Sequence, residues 1–163
     1  MPRLYVDTSA AVKYFKDEPG SGSARRVFDL GQQRRLTFYS SEWILNELFS
    51  AFGKTWRQGL MTVQEATAAA YDAADVLEHL MRKRVLRLLA PNRAVRRRAL
   101  AYGVIYGLAA GDALHLSTAV GARADTVWTS DENFMKAATA ERLTVVDASD
   151  DGAGGELVAR LAE

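Results

Sequence analysis

Short apolar runs alternate with longer segments of helical spacing along this chain, and that alternation limits the possible folds more than any other feature. Each short run is too brief for a buried helix and is bounded by turn-forming residues. Strands that alternate with helices are typical of a parallel sheet covered by helices on both faces. The sequence therefore predicts an α/β fold with five strands, at residues 3–6, 36–39, 85–89, 126–129 and 143–146.

Local signals indicate where several helices begin. Thr62 is followed three residues later by Glu65, the spacing of a capping box, which predicts the start of an alanine-rich helix. Ser40 or Ser41 is expected to cap the long helix that follows the second strand. After an acidic, glycine-rich stretch, a terminal helix is predicted at 156–163.

Length and composition exclude several classes of protein. With 163 residues the chain can bury a core without disulfides, so we expect one domain over residues 1–163. It has no cysteine, which excludes thiolate zinc sites and thiol nucleophiles and leaves oxygen ligands as the obvious metal chemistry. There is no signal segment, and no apolar run reaches the roughly 18 residues of a membrane span. We therefore expect a soluble, cytoplasmic protein that does not bind membranes.

Two aspartates follow predicted strands. Asp7 comes directly after the first strand, and Asp131 comes shortly after the fourth. Ligands of open parallel sheets bind outside the carboxyl ends of the strands, so both side chains are expected at one edge. Each aspartate would equally serve as the N-cap of the next helix, and the sequence leaves both roles open. Asp147, after the last strand, is interpreted as a turn residue.

Two further acids lie on predicted helices, beside apolar residues. Glu47 is at the edge of the apolar stripe of the long helix, where a surface glutamate lying along the stripe is the alternative interpretation. Asp112 is in the first turn of a later helix, where the helix dipole alone would favour an acid. His115 shares the face of Asp112, and we expect it to be packed or hydrogen-bonded rather than a metal ligand.

The four acids together indicate a shared site. Carboxylates that gather near a core repel one another, and a hard divalent cation such as Mg²⁺ or Mn²⁺ offsets that repulsion. The hypothesis to test is therefore a metal-dependent hydrolase. Its candidate residues are Asp7, Glu47, Asp112 and Asp131.

One segment is strongly basic, although the net charge of the chain is only +1. Residues 82–98 carry arginines and a lysine with no acid among them, and further arginines occur at 25, 26, 34 and 35. Such a run is typical of a solvated helix face, and it is equally what contact with a phosphate backbone requires. The sequence does not decide whether residues 82–98 contact a nucleic acid.

Placed in order, these motifs resemble the PIN-domain family, in particular the VapC-like toxins of bacterial toxin–antitoxin pairs. The resemblance runs from about Leu4 to Val146. It rests on Asp7 in YVDTSA, Glu47 in the long helix, Asp112 in GDALHLSTA and Asp131 in VWTSDENF, and WRQGLMTVQE is similar to the family's turn between its two middle helices.

The resemblance implies a three-layer α/β/α sandwich and a ribonuclease. Its acidic cluster, here Asp7, Glu47, Asp112 and Asp131, would hold one or two Mg²⁺ or Mn²⁺ ions. The enzyme would hydrolyse RNA phosphodiester bonds with a water activated by the carboxylate-held metal. Hydroxyl groups in support would come from Thr8, Ser9 and Thr129. The resemblance also implies a homodimer and a small antitoxin protein that blocks the site.

Two other functions remain open. A haloacid-dehalogenase-like phosphatase also has an aspartate after its first strand, but it requires a second aspartate two residues later, where this chain has Ser9. A catalytically inactive PIN-like module that only binds proteins would keep the fold without the reaction. The RNA that is cut, the antitoxin and the physiological metal are not determined by the sequence.

Overall fold

A computed structural model describes residues 3–162, which form five strands and eight helices. Strands β1 to β5 are Arg3–Val6, Thr37–Ser41, Leu86–Leu89, Thr126–Thr129 and Thr144–Asp147. Helices α1 to α8 are Thr8–Phe15, Ser21–Gln32, Trp43–Arg57, Val63–Arg82, Arg93–Ile105, Ala110–Gly121, Glu132–Ala140 and Asp151–Ala162.

The strands form one sheet in the order β3-β2-β1-β4-β5, and every neighbouring pair is parallel. The chain first adds strands on one side of β1 and then, with β4, on the other side. Connections after β1 and β4 therefore diverge, which opens a crevice at the carboxyl ends of these two strands. The predicted parallel sheet is confirmed, and Asp7 and Asp131 lie at its carboxyl edge.

Helices cover both faces of the sheet. Successive side chains of a strand point to opposite faces, so each face carries apolar residues that must be buried. Leu4, Val6 and Trp128 join a core built with α1 to α4 and α8. Tyr5 and Val127 join a second core on the opposite face, built with α5, α6 and α7. This is the three-layer α/β/α sandwich that the resemblance implied.

The start of α3 differs from its prediction. Ser40 and Ser41 both belong to β2, where they pair with β3, so neither is the N-cap residue of α3. Glu42 occupies that position without a side-chain cap, although the Ser41 hydroxyl accepts a hydrogen bond from the Trp43 amide at 3.2 Å. Pairing with β3 extends β2 beyond its apolar run. This extension depends on a strand that is distant in the sequence, so local patterns do not predict it.

The capping box of α4 is confirmed. The Glu65 carboxylate accepts a hydrogen bond from the Thr62 amide at 2.7 Å, and the Glu65 amide donates to the Thr62 hydroxyl at 3.2 Å. α4 packs on the distal part of α3 through a small separate cluster of Phe52, Ala66, Ala70 and Ala73. Like the other helices of residues 3–162, α4 is not long and apolar enough to cross a membrane.

The terminal helix begins earlier than predicted, at Asp151 rather than at residue 156. Asp150 precedes it and accepts hydrogen bonds from the amides of Gly152 and Ala153 at 2.8 and 3.2 Å. A Cβ on Gly154 would lie 2.5 Å from the Ser23 Cβ, so glycine lets α8 approach α2 closely. Packing against α2 therefore stabilises α8, although its glycines by themselves disfavour a helix. The predicted last residue, 163, lies outside the described part.

Two glycines of α2 test how tightly this helix packs on the sheet. A Cβ on Gly31 would lie 2.4 Å from the Phe38 ring and 2.9 Å from Val85, whereas a Cβ on Gly22 would meet nothing within 4 Å. We expect Gly31→Ala to lower the free energy of unfolding by about 1–3 kcal/mol through overpacking. Gly22→Ala is the matched control and should leave stability equal or higher. Equal losses in urea unfolding would contradict this packing.

Candidate metal centre

A cavity of about 320 Å³ opens at the carboxyl edge of the sheet, where β1 and β4 end. It brings together all four predicted acids, which are scattered over most of the sequence. The residues that line it are Asp7, Thr8, Ser9, Glu47, Ser50, Ala51, Lys54, Arg57, Asp112 and Asp131. The shared position of the acids agrees with the hypothesis of one site, and their role as ligands stays a prediction.

Asp7 is both a helix cap and a candidate ligand. The residue is only 4% exposed. One carboxylate oxygen, Oδ2, accepts hydrogen bonds from the Ser9 hydroxyl at 2.7 Å, the Thr129 hydroxyl at 2.8 Å and the Ser9 amide at 3.3 Å. The other oxygen, Oδ1, lies 3.9 Å from Nδ1 of His115 and accepts no hydrogen bond from residues 3–162. The cap therefore leaves one oxygen available to a cation.

Glu47 is held in place from two sides. Its Oε2 accepts a hydrogen bond from the Thr8 hydroxyl and lies 2.9 Å from Nε2 of His115. The side chain remains 26% exposed, so it reaches the cavity. A Cβ on Gly111 would lie 2.3 Å from Glu47 Oε1, so a glycine at the start of α6 makes room for the carboxylate. Nothing in the sequence singled out this glycine beyond its place before Asp112.

His115 connects the sheet to Glu47. It is fully buried, and its Nδ1 lies 2.8 Å from the hydroxyl of Tyr5. Burial lowers the pKa of His115, but the hydrogen bond to Glu47 and the charge of Asp7 outweigh that effect and raise the pKa overall. Both ring nitrogens have partners, in agreement with the predicted hydrogen-bonded histidine.

The closest potential ligand group in residues 3–162 consists of Asp7, Glu47 and His115, whose ligand atoms lie within 4.8 Å of one another. If His115 were to bind a cation, it would give up its hydrogen bond to Tyr5 or to Glu47. Sequence reasoning missed the contact between His115 and Glu47, since its only signal was the shared helix face of His115 and Asp112.

Asp112 experiences the repulsion of the other acids. Its pKa is raised to about 6, first by burial and then by the charges of Asp131, Asp7 and Glu47, which His115 offsets only in part. A cation that enters the cavity would stabilise the ionised form of Asp112 and lower this pKa. The oxygen-rich donor set thus fits a hard divalent ion such as Mg²⁺ or Mn²⁺.

Asp131 caps α7 as well as lining the cavity. Its Oδ1 accepts a hydrogen bond from the Phe134 amide at 2.7 Å, and its own amide donates to the Thr129 hydroxyl at 3.2 Å. Asp131 and Asp112 lie outside the closest ligand group. Thr129 itself is buried and supports Asp7 rather than lining the cavity. Both roles left open for Asp131 are therefore compatible with its position.

The basic segment lies elsewhere. None of residues 82–98, nor arginines 25, 26, 34 and 35, lines the cavity in the described part of the chain. Arg87 lies over the ring of Tyr39, 5.8 Å from its centroid, and Arg98 donates to the Ser117 carbonyl at 3.3 Å. The cations that do line the cavity are Lys54 and Arg57, which sequence reasoning missed.

The fold and the cavity define the class of this molecule. It is an α/β protein with a parallel sheet and with an acidic cavity at the point where the strand order reverses. Within that class, the chain belongs to the PIN domain family, whose model matches residues 4–140. The predicted resemblance is thereby confirmed. Membership favours the nuclease over the phosphatase alternative, and Ser9, which stands where that phosphatase requires an acid, instead donates a hydrogen bond to Asp7.

Solved structures with the same fold are distant in sequence. PAE2754 from Pyrobaculum aerophilum is 19% identical, with a TM-score of 0.65 over 99% of this chain and 97% of that one. VapC20 from Mycobacterium tuberculosis, a Sarcin-Ricin loop cleaving toxin, is 18% identical, with a TM-score of 0.60 over 82% and 94%. VapBC2 from Rickettsia felis is 16% identical, with a TM-score of 0.57 over 89% and 98%. No curated protein matches this chain.

The pKa of Asp112 predicts how stability depends on pH without metal. The folded-state value of about 6 lies above the ordinary 3.8, so the folded protein binds more protons and stability falls as pH rises through this interval. Asp112→Asn should therefore stabilise the metal-free protein at pH 7 by about 1 kcal/mol, discounted for partial exposure. That corresponds to about 2–4 °C in Tm. The gain should disappear near pH 4, and a variant melting lower at pH 7 would contradict it.

The two histidines of the chain provide a matched test of the buried network. His115→Ala leaves the buried Tyr5 hydroxyl without this partner, which should lower the free energy of unfolding by about 1–3 kcal/mol. His79→Ala removes an exposed histidine of α4 and should change stability by less than about 0.5 kcal/mol. Urea unfolding measures both, and equal effects would contradict a structural role for His115.

Proposed function

We propose that this protein is a Mg²⁺- or Mn²⁺-dependent endoribonuclease that acts as the toxin of a toxin–antitoxin pair. One observation carries the proposal: four acids line a single cavity at the carboxyl ends of β1 and β4, and their charges raise the pKa of Asp112 in addition to the effect of burial. Membership of the PIN domain family supports the nuclease reaction. The similarity to VapC20, a toxin that cleaves the Sarcin-Ricin loop, supports an RNA substrate.

The proposed metal ligands are Asp7, Glu47 and Asp112, with Asp131 binding directly or through water. Asp7 keeps one oxygen free of hydrogen bonds while three donors hold the other. Glu47 is oriented by Thr8 and His115 before any ion arrives. Such fixed carboxylates lose little side-chain freedom on binding, which favours a site with few protein ligands.

When bound, a divalent cation lowers the pKa of its water and offsets negative charge on the phosphate. With such a water the reaction needs no protein nucleophile, and the two hydroxyl groups next to Asp7 instead hold carboxylates in place. Thr8 donates to Glu47, and Ser9 donates to Asp7. The oxygen of water would form the new bond to phosphorus while the bond to the leaving ribose oxygen breaks. The proton of the attacking water leaves to solvent or to a carboxylate.

A structure with the same fold supports a protein partner for the proposed toxin. The VapBC2 structure contains a protein pair bound to a fragment of their promoter DNA, which supports a protein antitoxin for this chain. A homodimer, a cytoplasmic location and a single PIN-like domain over residues 1–163 belong to the same proposal. The antitoxin would block the acidic cavity until it is removed.

RNA cleavage tests the proposed reaction. The wild type should cut single-stranded RNA when Mg²⁺ or Mn²⁺ is added and stop when the metal is chelated. Asp7→Asn and Asp112→Asn should each lower the cleavage rate by about 100-fold or more, since each removes a ligand charge. Asp147→Asn is the matched control, because Asp147 accepts hydrogen bonds within the turn after β5 and does not line the cavity.

Two results would contradict the proposal. A wild type that does not cleave RNA with either metal would instead support an inactive, protein-binding PIN module. Unchanged cleavage by Asp7→Asn would show that the reaction does not use this cavity. For the toxin role, expression of the wild type should inhibit bacterial growth and expression of Asp7→Asn should not.

A further inference from the structure

Helix α3 carries two cations toward the same cavity as its acid. Glu47, Lys54 and Arg57 all line the cavity, and they are successive parts of one helix. We propose that Lys54 and Arg57 bind the phosphate groups that neighbour the cleaved one, so that α3 forms a phosphate-binding edge of the site. This inference rests on the proposed ribonuclease function.

The spacing along α3 places the cations beyond the acids but on the same side. Lys54 follows Glu47 by seven residues, about two helical turns, so the two side chains leave the helix in nearly the same direction about 10 Å apart along its axis. Arg57 continues the edge about one turn further. Between Glu47 and Lys54, the residues Ser50 and Ala51 also line the cavity, and their small side chains leave space for an RNA strand.

Neither cation is used for holding the fold together. No ion pair within residues 3–162 includes Lys54 or Arg57, and both are exposed. Lys16, the residue just after the neighbouring helix α1, behaves differently. Its Nζ donates to the Ala51 carbonyl at 3.2 Å and to the Thr55 hydroxyl at 2.7 Å, which fixes α1 against α3. Lys54 and Arg57 therefore remain available for a ligand.

Charge explains why such an edge is needed. A divalent cation in the cavity would offset the charge of the phosphate that is cut. The neighbouring phosphates of the RNA strand would still face four carboxylates. Cations within reach of those phosphates offset that repulsion and set the direction in which the strand crosses the site. The basic segment 82–98 does not line the cavity, so it does not supply this charge there.

The position of the two cations is fixed by packing beneath them. Phe52 is buried in the small cluster between α3 and α4, which holds the distal part of α3 in place. Lys54 and Arg57 follow Phe52 within two turns, on exposed positions of the same helix. This packing holds the backbone of Lys54 and Arg57 in place, while their long side chains can adapt to an RNA strand.

The salt dependence of RNA binding tests this inference. The probe is a short fluorescein-labelled single-stranded RNA, with Ca²⁺ present in place of Mg²⁺ and intact RNA verified on a gel. For the variant Lys54→Gln/Arg57→Gln, the slope of log Kd against log salt should fall by about 1.4, or about 0.7 for each phosphate that the protein no longer neutralises. Because both residues are exposed, the Tm of the variant should match the wild type.

The control removes the same charge elsewhere. Lys136→Gln/Arg142→Gln removes two exposed cations that do not line the cavity, one on α7 and one in the turn after it, and it lowers the net charge by the same amount. Its slope should equal that of the wild type. The conservative variant Lys54→Arg/Arg57→Lys keeps both charges and should keep the wild-type slope.

Three other outcomes would each contradict the inference. If the wild type cleaves RNA but the slope of Lys54→Gln/Arg57→Gln is unchanged, the phosphate-binding edge is wrong and the ribonuclease remains. If the control lowers the slope equally, the effect is one of net charge and the edge is again wrong. If the wild type neither cleaves nor binds RNA, the proposed function fails and this inference fails with it.

Discussion

The parallel pairing of β1 with β4 is the interaction on which the rest of the structure depends. It reverses the direction of strand addition, and so it creates the crevice at the carboxyl edge. The same pairing continues beyond the strands, where the Asp7 amide donates to the Trp128 carbonyl at 3.1 Å and the Thr129 hydroxyl donates to the Asp7 carboxylate. One strand pair therefore both builds the crevice and orients its most buried acid.

At that crevice, two of the candidate site residues are also helix caps. Asp7 begins α1, and Asp131 begins α7, yet both line the acidic cavity. A carboxylate has two oxygens, and Asp7 uses only one of them for the local hydrogen bonds. Structural and functional interpretations of these acids consequently do not compete, because each oxygen can serve a different purpose.

Gathering four acids works against stability, and the pKa of Asp112 is raised first by burial and then by the charges of the other three acids. The fold opposes the repulsion between the acids with nearby donors, which are three hydroxyl groups and His115. Thr8, Ser9 and Thr129 donate hydrogen bonds to the carboxylates, and His115 approaches Glu47 at 2.9 Å. These contacts stabilise the acids in part, and a bound cation would offset the repulsion that remains.

By itself, the sequence determined the parallel α/β class, the capping box at Thr62 and the set of four acids, because hydrophobic period and cap residues act over a few neighbouring positions. Only the tertiary structure decided that His115 contacts Glu47 and that Lys54, rather than residues 82–98, lines the cavity. Such contacts join elements far apart in the chain, so they depend on strand order and helix packing, which no local pattern specifies.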